Sequence, residues 1–224
     1  MKSHDQLVLV VDDDHRVREA LQSLLAASDL RCVVFGSAAE YIAYPRPNVP
    51  ACLILDVGLP DINGLELQQQ MGKEYHPPII FITGQGDIPS SVRAIKAGAL
   101  DFLTKPYSVE DLLRLVHTAL AQDQESRVKR ADLDRLQQKL QSLTPREREV
   151  LPLVVSGLLN KQAAAHLGIS EITYQIHRTN VMRKMEADSL ADLVRMAGSL
   201  EIPIGVGRHM QGASADRERR PAGP

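Results

Sequence analysis

The sequence predicts an α/β protein: a five-stranded, doubly wound parallel sheet, followed by a smaller all-helical domain. Three observations carry this reading. Short continuous aliphatic runs alternate with amphipathic ones up to about residue 121. Beyond residue 144 every apolar pattern has helical spacing and no strand candidate remains. The 224 residues suit two domains of about 100 residues each.

The elements follow in order. Leu7–Val11 is a buried strand, and Val17, Leu21, Leu24 and Leu25 then recur at helical spacing. Cys32–Phe35, Cys52–Leu55, Ile79–Thr83 and Leu100–Leu103 are further strands. Helical stretches near 62–73, 89–97 and 109–121 separate the later ones. Strands that are apolar throughout, with helices between them, indicate a parallel sheet covered on both faces. Residues 122–143 turn dense in charge and Gln, with Leu133, Leu136, Leu140 and Leu143 in an a/d seam of about two heptads. That seam reads either as a solvated linker helix or as a short dimerising coiled coil. Thr144, Pro145 and Glu147 make a helix start, as N-cap, N1 and N3. Leu167-Gly168-Ile169-Ser170 reads as helix end, tight turn and new N-cap, and another helix begins near Ser189. The expected divisions are residues 1–122, a helical linker 123–143, a helical domain 144–204 and a disordered tail 205–224.

Bulk properties narrow the classes. The apolar fraction of 44% supports sizeable cores, with aromatics at only 4% and no Trp. Residues 1–122 hold 10 Lys and Arg against 15 Asp and Glu; residues 123–224 hold 16 against 13. An acidic half joined to a mildly basic one fits a cation site plus an anion-binding surface. Cys32 and Cys52 lie in apolar runs without CxxC spacing, so they read as reduced, buried thiols. No signal peptide and no membrane-length apolar run is recognised, which predicts a soluble cytoplasmic protein.

Chemistry concentrates at strand ends. The first strand ends in Asp12-Asp13-Asp14, the third in Asp56 and the fourth in Thr83; Lys105-Pro106 follows the fifth. In an open parallel sheet, ligands bind outside the carboxyl ends of the strands, so these residues should converge in one crevice. Crowded carboxylates repel unless a cation binds, and an oxygen-only set selects a hard ion such as Mg²⁺. Lys105 can pair with Asp56 and later with an anion on it, and Thr83 can donate to a phosphoryl oxygen. Such a site suits in-line attack of an aspartate on phosphorus. Asp14 reads as a helix N-cap rather than a ligand, His15 as a bystander, and Asp61 and Gly64 as shaping a turn and helix start. An aspartate-nucleophile phosphatase would need a second acid two residues after Asp56, where Gly58 stands. Neither GxxxxGK[ST] nor GxGxxG is present, which argues against an NTPase, and no enzyme is expected.

Val11-Asp12-Asp13-Asp14, Asp56-Val57-Gly58-Leu59-Pro60-Asp61-Ile62-Asn63-Gly64, Thr83-Gly84 and Lys105-Pro106 resemble the signature of response-regulator receiver domains. The resemblance implies a flavodoxin-like sheet of order 2-1-3-4-5. It implies Asp56 as acceptor of a phosphoryl group from a sensor histidine kinase. Asp12, Asp13 and Asp56 would bind Mg²⁺, Thr83 and Lys105 would contact the phosphoryl oxygens, and Thr83 with Phe102 would form the switch. It also implies a cis Lys105–Pro106 bond.

Residues 144–202 resemble the LuxR-type helix-turn-helix of FixJ/NarL response regulators, closest to the FixJ/StyR/TodT-like subgroup. The resemblance rests on Leu143–Leu151, Gly157–Ala164, the Leu167–Ser170 turn and His177–Met185 as recognition helix. On the residues themselves, Ile172, Ile176, Met182 and Met185 are read as lining one face of that helix, with Gln175, Arg178 and Thr179 on the other. Gln175 can address adenine, Arg178 guanine or phosphate, and Ile176 and Thr179 a thymine methyl. Lys161, Arg183 and Lys184 are phosphate candidates. The chain departs from the family in having Ile172 where Arg is common and Tyr174 where Val is common, and Tyr174 could pack in the core or touch a phosphate. Residues 170–186 carry Arg178, Arg183 and Lys184 against Glu171 and Glu186, so one monomer should bind DNA weakly.

The expected function is therefore a two-component regulator, phosphorylated on Asp56 and binding promoter DNA as a homodimer, with RNA polymerase as a further partner. The alternative is a phosphorylation-independent DNA-binding protein whose receiver serves as a dimer scaffold.

Overall fold

The computed structural model describes residues 6–45, 48–72, 76–84 and 88–203, so the expected tail 205–224 lies outside the described residues. Two compact units are present, Met1–Lys129 and Arg130–Pro224. The first contains β1 (Leu7–Val11), α1 (His15–Ala27), β2 (Arg31–Phe35), α2 (Ala38–Ala43), β3 (Ala51–Asp56), α3 (Gly64–Met71), β4 (Ile79–Thr83), α4 (Ile88–Lys96) and β5 (Asp101–Thr104). Helix α5 (Val109–Gln141) begins in this unit.

All strand pairs are parallel, in the order β2-β1-β3-β4-β5. Side chains alternate across a strand, so each central strand serves two cores. Leu7, Leu9, Val11, Leu53, Leu55 and Phe81 pack on one face with Tyr41, Leu67 and Ala94 of α2, α3 and α4. Val8, Val10, Cys52, Ile54, Ile80 and Ile82 pack on the other with Leu21 and Leu25 of α1 and Leu112, Val116 and Ala119 of α5. This is the physical reason the strands read as unbroken apolar runs. β1 lies between β2 and β3, so the chain order reverses there and opens a crevice at their carboxyl ends. Cys32 and Cys52 are free thiols; burial pushes Cys32 up to about 12, and pushes Cys52 upward as well.

Helix α5 does not end near 121 but continues to Gln141. No Gly or Pro interrupts 109–141, and Leu, Ala, Gln, Arg, Glu and Lys dominate it. Asp123, nearly inaccessible, accepts from the Ala51 backbone N–H at 2.8 Å and from Arg127 Nε at 2.8 Å. Arg127 in turn donates to Asn48 Oδ1 at 3.0 Å.

The second unit contains α6 (Pro145–Val155), α7 (Asn160–Leu167), α8 (Glu171–Met185) and α9 (Leu190–Ser199). The starts of α6, α8 and α9 are those the sequence marks, whereas α7 begins after Leu159 with no side-chain cap. Thr144 and Glu147 form a reciprocal capping box, and Ser170 and Ser189 cap α8 and α9. Gly168 ends α7 in the left-handed region at φ 64, which a residue without Cβ adopts freely. Val150, Leu151, Val154, Ala163, Ala164, Tyr174, Val181, Met185 and Leu193 form its core. Leu143, at the end of the leucine seam, is buried in this core, and Leu140 packs against it.

Candidate functional site

The crevice at the ends of β1 and β3 brings the predicted carboxylates together. Asp12, Asp13 and Asp56 each offer an oxygen within 4.8 Å of the others, a set that could hold a metal ion. Asp12 and Asp56 are buried, whereas Asp13 is exposed. Lys105 enters from the loop after β5, its Nζ 2.9 Å from Asp12 Oδ2 and 3.5 Å from Asp56 Oδ1. The Lys105–Pro106 bond is cis. Thr83 is buried at the end of β4, where its carbonyl accepts from the Lys105 backbone N–H at 2.8 Å. Phe102 pairs in register with Phe81, their ring centroids 6.2 Å apart, and is half-buried.

Further contacts hold this arrangement; the sequence marked Asp14, Asp61 and Gly64, but not Arg18 or the Gly58 N–H. Arg18 on α1 donates from Nη1 to the carbonyls of Asp12 at 2.7 Å and Asp13 at 2.9 Å. The Gly58 backbone N–H donates to Asp56 Oδ2 at 3.0 Å, so this position shapes the acid rather than merely lacking a second one. Asp12 Oδ1 accepts from the Asp14 backbone N–H, and Asp14 caps α1 through the Arg16 N–H. Gly64 starts α3 so close to the strand end that a Cβ there would lie 2.4 Å from the Asp56 carbonyl oxygen. Asp61 reaches across to the backbone N–H groups of Ala38 and Ala39 at the start of α2.

Electrostatics follow from this packing. Burial pushes the Asp56 carboxyl up; Lys105 opposes the shift, and the Asp12 charge adds to it. Burial works against the Lys105 ammonium, but the hydrogen bond and charge of Asp12 together with the Asp56 charge outweigh it and hold its pKa above the ordinary value. Lys105 pairs with two of the three carboxylates and Arg18 serves only their backbone, which leaves a net negative site that a hard metal ion would correct.

In the second unit, α8 divides differently from the sequence reading. Tyr174, Val181 and Met185 form its buried face, with Met182 partly buried beside them. Ile172 and Ile176 do not line that face; they are exposed, on the same side as Gln175, Thr179 and Arg183. Positions 172, 175, 176, 179 and 183 follow helical spacing, so they form one outward stripe. The error has a physical origin: Tyr174 occupies the core position that an apolar count assigns to the isoleucines. Its ring is wholly buried, and its hydroxyl has no hydrogen-bond partner among the described residues.

The basic residues are not equivalent. Lys161 and Arg183 are exposed. Arg178 is half-buried on the flank of α8, in a recess lined by Gly157, Leu158, Leu159 and Asn160. Lys184 is turned inward, 2.6 Å from Glu147 Oε2 and 3.2 Å from the Ser142 carbonyl. Thr179 commits its hydroxyl to the Gln175 carbonyl at 2.9 Å.

Comparison with known proteins agrees with both halves. Residues 8–117 match the family described as response regulator receiver domain. Residues 141–197 match the family described as bacterial regulatory proteins, luxR family. Nodulation protein W of Bradyrhizobium diazoefficiens is 47% identical over 88% of this chain and 87% of its own. Transcriptional regulatory protein FixJ of Azorhizobium caulinodans is 40% identical over 85% and 90%. The low-resolution structure of the response regulator StyR is similar at 43% identity and a TM-score of 0.77, covering 87% of this chain and 98% of that one. A receiver implies a histidine kinase partner, and a LuxR-type domain implies DNA. Among the described residues no helix is long and apolar enough to cross a membrane. With a receiver fold on a parallel sheet, a helix-turn-helix behind it and full-length relatives of the same build, the chain belongs to the FixJ-like response regulators, the phosphorylated transcriptional regulators with a LuxR-type DNA-binding domain.

Proposed function

We propose that Asp56 is the phosphoacceptor and that its phosphorylation governs promoter binding by α8. The observation that carries this is the placement of Lys105 Nζ within 3.5 Å of Asp56 and 2.9 Å of Asp12, at the crevice where the strand order reverses. In the proposed step an Asp56 oxygen forms a bond to phosphorus while the bond from phosphorus to the kinase histidine breaks. The Gly58 N–H fixes one Asp56 oxygen, and Arg18 fixes the backbone carrying Asp12 and Asp13. Lys105 and the Thr83 hydroxyl then face the added phosphoryl oxygens, and Phe102 follows Thr83 as the switch. Asp12, Asp13 and Asp56 are the residues that would hold Mg²⁺, which supplies charge neutralisation when bound.

On DNA, Gln175, Ile176 and Thr179 are the proposed base readers; Lys161, Arg178 and Arg183 are proposed phosphate contacts. Lys184, committed to Glu147, contributes chiefly by holding α8 to the helix start at Thr144. The regulator works as a phosphorylation-dependent homodimer in the cytoplasm and acts on RNA polymerase at promoters. Residues 123–143 serve as the helical linker between domains 1–122 and 144–204. The experiment is phosphorylation with acetyl phosphate and Mg²⁺. Wild type should acquire a hydroxylamine-labile phosphate and Asp56→Asn none; labelling of Asp56→Asn at the wild-type rate would contradict the assignment.

A further inference from the structure

The outward stripe of α8 carries more apolar surface than a solvated helix face requires. Ile172 is 71% exposed and Ile176 57% exposed, one turn apart. Neither contributes to the core, which Tyr174, Val181 and Met185 already fill. The first turn is held in place by Ser170, whose hydroxyl accepts from the Thr173 backbone N–H at 3.1 Å. The two side chains are therefore presented on a fixed backbone, and β-branching stiffens them further. Exposed apolar groups gain from any apolar contact that removes water.

The surroundings identify what that contact is. Gln175, Thr179 and Arg183 share the stripe, and all are polar. Two isoleucines within a polar face fall far short of the roughly 800 Å² per partner that a stable protein interface buries. The stripe continues directly into Gln175, Ile176 and Thr179, the proposed base readers. In the major groove, the apolar group displayed on base edges is the thymine 5-methyl. Four residues of helix advance about 6 Å, close to two steps of about 3.4 Å along a strand.

Resting on the DNA-binding reading of α8, we propose that Ile172 is a specificity-determining residue that, with Ile176, forms an apolar ridge reading two thymine methyl groups about two base pairs apart. Ile172 takes the outer thymine and Ile176 the inner one. Gln175, between them, addresses the intervening base pair. A cation at position 172 would instead favour phosphate or guanine, so the thymine preference rests on the isoleucine itself.

The test uses the full-length protein treated with acetyl phosphate. Duplexes are selected from a random-sequence pool, and each thymine of the selected half-site is replaced by deoxyuridine, which deletes only the methyl. Two positions should each lose about threefold to fivefold in affinity. The loss at the outer position should vanish in Ile172→Ala, and the loss at the inner one in Ile176→Ala. Both side chains are exposed, so the variants should keep wild-type circular dichroism and melting. A deoxyuridine penalty at the outer position that is equally large in wild type and Ile172→Ala overturns the ridge. So does a weaker self-association of Ile172→Ala without DNA, which would place a second copy on it. Enrichment of sites with no methyl dependence overturns the ridge while leaving DNA binding intact; a pool that enriches nothing overturns the DNA-binding reading and the ridge with it.

Discussion

At the carboxylate cluster, burial and the Asp12 charge push the Asp56 pKa up against the opposing pull of Lys105. A carboxyl whose pKa is raised on folding contributes stability below its unfolded value of about 3.9, and that contribution is lost as pH rises through the folded value. Asp56→Asn should therefore be more stable than wild type at neutral pH without metal, and the difference should shrink as pH falls through the raised folded value and level off below about 4. Urea denaturation at several pH values measures this; a constant difference would contradict it. Gly64→Ala places a Cβ against the Asp56 carbonyl and should destabilise the protein by about 1–3 kcal/mol, measurable by the same denaturation, while slowing phosphorylation. The acids, Thr83 and Lys105 were legible because they sit at strand ends, which strand pattern alone locates. Arg18 was not, because its guanidinium serves backbone carbonyls, and backbone partners leave no mark in a sequence. Gly58 was visible only as a missing acid; its N–H is invisible to residue type.

Among the elements, α5 and α8 are the most informative. Uninterrupted helix formers made α5 readable as helical, but the change of composition near residue 122 obscured that it is one helix to Gln141. Its continuation past the sheet is fixed by Asp123, which bonds the first residue of β3 and Arg127. Asp123→Ala leaves Arg127 and the Ala51 N–H without that partner and should cost about 3 kcal/mol, with faster amide exchange at 120–129. Unchanged stability and exchange would show that the contact is incidental. Strand positions and the caps at Thr144, Gly168 and Ser170 were legible, because unbroken aliphatic runs and capping residues each have local causes. The faces of α8 were not, because nothing local distinguishes an isoleucine bound for the core from one bound for solvent. The position of Tyr174 decides it, through packing with α6, α7 and α9.

At the scale of the molecule, the distribution of charge predicts how phosphorylation is converted into DNA binding. With Lys184 paired to Glu147, the helical domain is left with Lys161, Arg178 and Arg183 as its proposed phosphate contacts, against the acids of the same helices. One domain then gains little from counterion release. Two domains held together make the second contact effectively intramolecular, which adds roughly 10²–10⁴-fold in avidity. The central claim, that phosphorylated Asp56 controls promoter binding through dimerisation, is tested by sedimentation and operator titration on the same full-length samples, with and without acetyl phosphate. The account predicts a monomer-to-dimer shift and a gain in affinity that rise together and are both absent in Asp56→Asn. A phosphorylated protein that gains full affinity while remaining monomeric, or an Asp56→Asn variant that responds like wild type, would contradict it.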